Sequence, residues 1–98
     1  MTDQEKLIPL LRQAATRWLS LGHQDIFGSD EYTDDLGNFC NRVADSLPTA
    51  ELSEPDKRQI WRIFAPTCEW DDSVADVELG HQVWQLVDRL YGKDVLNT

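Results

Sequence analysis

Apolar residues recur along most of this chain at intervals of three and four, the period of an α-helix with one buried face. Leu7, Leu11, Ala14 and Trp18 form the first such stripe, flanked by Ile8, Ala15 and Leu19. They predict a helix over about Asp3 to Leu21. Thr2 and Glu5 stand at capping-box spacing before it, and Gly22 is a suitable stop after it. Pro9 lies past the first turn, where it removes a hydrogen bond, so it predicts a kink or a delayed start. A second helix is expected from about Asp30 to Leu47, with Tyr32, Leu36, Phe39, Cys40, Val43 and Leu47 on its inner face and Pro48 ending it.

The third helix has the strongest start signal: Ser53 as N-cap, followed by Glu54, Pro55 and Asp56. Ile60, Trp61, Ile63 and Phe64 are its apolar residues, and Pro66 closes it. A fourth is expected to open near Asp71, Asp72 or Ser73 and to carry Val74, Val77, Val83, Trp84, Leu86, Val87, Leu90 and Tyr91, with Gly92 as its C-cap. Gly80 within it costs about 1 kcal/mol relative to Ala. That cost is offset if a neighbouring element, such as a Trp ring, approaches the backbone closely there. No segment alternates with period two for long enough to predict a strand. The expectation is an all-α fold, a small four-helix antiparallel bundle with short loops.

Length and composition agree with this. A chain of 98 residues suits one domain over 1–98. With 9 Lys and Arg against 18 Asp and Glu, the net charge is −9. Such a body repels phosphate, so direct nucleic-acid binding is not expected. Two Cys cannot staple a chain of this length. The charged, mixed-sign N-terminus does not resemble a signal peptide and no apolar run is long enough to span a membrane, so a cytoplasmic protein with reduced thiols is expected.

Charge distribution is the informative feature. Asp25, Asp30, Glu31, Asp34 and Asp35 form one acidic stretch, with no Lys or Arg between His23 and Asn41. Glu69, Asp71, Asp72, Asp76 and Glu78 form another, with none between Arg62 and Arg89. In an up-down-up-down bundle, the connection after the first helix and the connection after the third lie at the same end. The two stretches would then meet there, together with Phe27, Tyr32 and Trp70. One reading is local: acids at helix starts complement the helix dipole, each by about 0.3–1 kcal/mol. The other is a docking surface for a basic protein, because five acids exceed what a helix terminus needs and a cationic partner relieves their repulsion. On the second reading, Asp25, Phe27, Asp30, Glu31, Asp34, Asp35, Glu69, Trp70, Asp71 and Asp72 bind the partner. Trp70 itself has two readings, a staple holding its loop to the bundle or an exposed anchor, whereas Trp18, Trp61 and Trp84 fall on apolar faces and are expected in the core.

Catalytic and metal chemistry finds little support. The acids lack the alternation and central Gly of an EF-hand loop. Asp71, Asp72 and Asp76 are one residue out of register with the paired acids of all-helical diphosphate enzymes. His23, Cys40, Cys68 and His81 lack zinc-ligand spacing. Cys40 lies on an apolar stripe, while the acids beside Cys68 would raise its thiol pKa rather than activate it. No cofactor is implied. The expected function is a small acidic interaction protein of inhibitor, immunity or charge-mimic type, not an enzyme. Two alternatives stand beside it: a metal-dependent accessory or enzyme subunit using the clustered carboxylates, and a structural subunit that forms homo-oligomers through its Trp-rich helices.

Overall fold

A computed structural model describes residues 2–26, 31–65, 70 and 76–96. Four helices run through them: α1 (Asp3–Ser20), α2 (Thr33–Ser46), α3 (Glu54–Phe64) and α4 (Val77–Leu96). No strand occurs among the described residues; Asp25 and Tyr32 form a single antiparallel bridge.

Local chemistry sets several of the boundaries. The Thr2 hydroxyl accepts the Glu5 backbone N–H at 3.1 Å and donates to the Glu5 carboxylate at 3.3 Å, which opens α1. Pro9 lies inside α1, yet the helix neither starts late nor ends there. Its ring is exposed, so it displaces no packed neighbour. Gly22 takes φ +72° and donates its N–H to Leu19 O at 3.1 Å, the left-handed stop expected of it. In α3 the Ser53 hydroxyl accepts the Asp56 N–H at 3.4 Å.

Two boundaries differ from expectation. α2 begins at Thr33 rather than near Asp30. The backbone before it is engaged in the loop: Glu31 O accepts the Ile26 N–H at 3.3 Å and the Thr33 N–H donates to Gln24 O at 3.0 Å. That pairing holds Tyr32 extended, at φ −111° and ψ 155°, and excludes it from the helix. At the other end of the chain, α4 continues through Gly92 to Leu96. Gly92 is a spacer, not a cap: a Cβ there would meet Asp88 Oδ1 at 2.5 Å. That carboxylate accepts the Trp61 indole N–H at 3.1 Å. The α4 start suggested at Asp71, Asp72 or Ser73 lies outside the described residues; Asp76 Oδ1 accepts the Leu79 N–H at 3.2 Å and caps Val77–Leu96.

Cross-helix bonds establish the direction of each helix. Gln4 at the start of α1 donates to Leu47 O at the end of α2, at 2.6 Å. Arg17 near the end of α1 meets Asp76 at the start of α4, at 2.8 Å, while Arg89 late in α4 meets Asp3 at 3.5 Å. Lys57 early in α3 meets Asp94 late in α4, at 3.0 Å. The helices therefore run up, down, up, down. α1 packs against α2 and α4, and α3 against α4. Long side chains bridge α2 to α3: Arg42 reaches both Asp56 oxygens, at 2.9 and 3.0 Å. That guanidinium holds the Asp56 carboxyl below its ordinary pKa, against an opposing effect of burial.

One hydrophobic cluster fills the interior, with Leu7, Leu11 and Trp18 from α1, Leu36, Cys40 and Val43 from α2, Ile60 and Ile63 from α3, and Val83 and Val87 from α4. Burial pushes the Cys40 thiol up to about 12, so it is inert packing. Trp18 is in the core as expected, but Trp61 and Trp84 are only half-buried and pack against its edge. Among the described residues no helix is long and apolar enough to cross a membrane.

Candidate interaction pole

The antiparallel order brings the end of α1, the start of α2, the end of α3 and the start of α4 to one end of the molecule. Two ion pairs trace this: Arg17 of α1 with Asp76 at the start of α4, and Arg62 of α3 with Glu31 just before α2, at 3.1 Å.

Thr33 organises the loop between α1 and α2. It is buried, its hydroxyl donates to Gly22 O, and it accepts the Gln24 N–H at 3.2 Å. Replacing Thr33 with valine should cost about 1–3 kcal/mol, because two backbone groups lose their partner in a part-buried site. Chemical denaturation measures this. An unchanged midpoint would show that the loop stands without the clamp. On the outer side, the His23 ring stacks on Tyr32 with centroids 4.1 Å apart, and His23 Nδ1 lies 2.8 Å from Asp34 Oδ1.

The ten proposed contact residues fall into four groups. Asp25 and Asp35 are exposed, and neither has a cationic partner among the described residues. Glu31 and Asp34 are part-buried and engaged within the molecule, Glu31 with Arg62 and with Gln59 Nε2 at 3.0 Å, Asp34 with His23. Phe27, Asp30, Glu69, Asp71 and Asp72 lie outside the described residues. Trp70 corrects the anchor reading. It is 0% exposed, stands edge-on to Trp18 with centroids 5.4 Å apart, and donates its indole N–H to Asp76 O at 2.8 Å. A side chain with no exposed surface cannot anchor a partner, so Trp70 is the staple.

Arg17 and Arg62 are the residues of this end that counting charge by segment overlooks. Each sits in the last turn of its helix, and the expected topology already delivers those turns to the acidic end. Glu78, exposed at the start of α4, adds a further carboxylate there. Beside it an open groove of about 400 Å³ runs between α1 and α4, lined by Gln13, Thr16, Arg17, Asp76, Glu78 and Gln82.

The Thr33 hydroxyl and the Cys40 thiol are both committed to the interior. Among the described residues no three His, Cys, Asp or Glu side chains converge as metal ligands would. No protein-family model, curated protein or solved structure matches this chain.

Proposed function

We propose that this is a non-enzymatic interaction protein of the cytoplasm that engages a basic protein partner, and not nucleic acid, through its acidic pole. One observation supports the reading: the antiparallel helix order brings the start of α2 and the start of α4, each lying in a stretch of sequence without Lys or Arg, to the same end of the bundle. Asp25, Asp35 and Glu78 supply exposed carboxylates there. Internal pairing of Glu31 with Arg62 and of Asp76 with Arg17 removes part of the field and leaves the exposed carboxylates to a partner. A patch of this kind raises association rates by about 10–1000-fold and makes them salt-dependent. The exposed His23 ring on Tyr32 replaces Trp70 as the aromatic contact at the rim.

The test combines Asp25→Asn, Asp35→Asn and Glu78→Gln, none of which removes a described ion pair. Wild-type protein used as bait in native lysate should retain a strongly basic protein and release it at about 1 M salt, where the screening length falls to about 3 Å. The triple variant should keep the wild-type melting temperature and lose that partner. Equal retention by both baits, or retention that survives salt, would remove the acidic pole as the docking surface.

A further inference from the structure

The α1–α4 groove beside Glu78 does not stop at Gln82. That side chain also lines a second open groove of about 400 Å³, together with Lys6, Pro9, Leu10, Gln85 and Leu86. The two form one furrow along the outer face of the α1–α4 pair. Its middle is uncharged. Pro9 is exposed, Leu10 is half-buried, and the exposed Gln13 and Gln82 amides make no hydrogen bond among the described residues.

Charge stands toward the ends. Lys6 lies in the first turn of α1 and Glu78 in the first turn of α4, so the antiparallel order sets them at opposite ends of the furrow. About ten residues of helix separate their levels, or roughly 15 Å. Both side chains are exposed, and neither has an ion-pair partner among the described residues. Over the whole lining, Lys6 and Arg17 balance Asp76 and Glu78. The furrow is therefore neutral on a chain whose net charge is −9.

Two copies of so acidic a chain repel each other through most of their surface. A neutral face is where they approach at least cost. This face is also positive at one end and negative at the other. A twofold rotation about an axis through its middle exchanges the ends. It sets Lys6 of each copy on Glu78 of the other and lays the two uncharged middles together. A closed twofold contact requires that self-complementarity. A partner of one charge sign would match one end and be repelled at the other.

We infer that the α1–α4 furrow is a self-association surface, occupied by a second copy of this chain in an antiparallel twofold dimer with reciprocal Lys6–Glu78 pairs. Dimerisation spends Glu78 and leaves Asp25 and Asp35, which do not line the furrow, to the acidic pole.

The test is sedimentation velocity over about 1 μM to 1 mM protein. The mass should rise from one chain toward two and no further. Lys6→Glu and Glu78→Lys each turn both reciprocal pairs into like-charge contacts, and each should weaken association by about 100-fold or more. An equimolar mixture of the two variants should restore a dimer, because every altered charge then meets its opposite. Lys6→Glu places an acid in the first turn of α1, which the helix dipole favours, so loss of the dimer there is not loss of the fold. Asp25→Asn with Asp35→Asn should leave the dimer intact, so failure of the acidic pole and failure of the furrow are read separately. A wild-type chain that stays monomeric, growth past the dimer, dimers that persist in Lys6→Glu, or a mixture that stays monomeric would each overturn the assignment.

Discussion

Replacing Trp70 with alanine should lower the melting temperature by roughly 12 °C or more. Truncation of a buried Trp costs about 3–5 kcal/mol, and each kcal/mol shifts the midpoint of a domain this size by about 4–8 °C. Three contacts make Trp70 a severe case. Its ring stands edge-on to Trp18 and lies 5.2 Å from Phe64, so it joins the ends of α1 and α3. Its N–H bonds to Asp76 O, the residue whose carboxylate caps α4. Loss of the ring therefore opens a cavity and loosens the first turn of α4 together. Hydrogen exchange should speed up at Leu79 and Gly80 before it does at the centre of α4. Trp84→Ala, which truncates a half-buried ring, should cost less. Calorimetry on the two variants checks the order, and a fall below about 5 °C for Trp70→Ala would show that the ring is not a wedge.

How much of this was legible in the chain depends on the range of the interaction. Thr2, Ser53 and Gly22 act within three or four residues, and each does what its local pattern predicts. The apolar stripes locate all four helices for the same reason. The start of α2 was not legible from Asp30 onwards, because Tyr32 is held extended by pairing with Asp25 across the loop. Gly92 obeyed the local rule for a helix stop and was overruled by the Asp88–Trp61 bond, which needs the missing side chain.

The acidic pole divides along the same line. Which helix ends meet there followed from helix order alone. Its composition did not, since Arg17 meets Asp76 across 59 residues and Arg62 meets Glu31 across 31. Trp70 was ambiguous because Glu69 and Asp71 flank it and suggest exposure, whereas an indole withdraws enough apolar area to outweigh two charged neighbours. A tertiary partner without a side chain, Gly80, then decides where the ring goes.

That partnership gives the sharpest reversal of a local rule. Alanine in place of a mid-helix glycine ordinarily stabilises by about 1 kcal/mol. At Gly80 it should destabilise. A Cβ there would overlap Trp70 Cδ1 and Nε1. The indole cannot retreat, since Trp18 and Phe64 pack against it and its N–H is bonded to Asp76 O. Overpacking of this kind costs about 1–3 kcal/mol, which outweighs the gain in helix propensity. The denaturation midpoint should fall with the slope unchanged. In a Trp70→Leu background the clash is relieved, and Gly80→Ala should then stabilise. The sign change between backgrounds, a coupling of about 0.5–3 kcal/mol in a double-mutant cycle, identifies the ring as the cause. If Gly80→Ala stabilises the wild-type chain, the indole does not lie over α4.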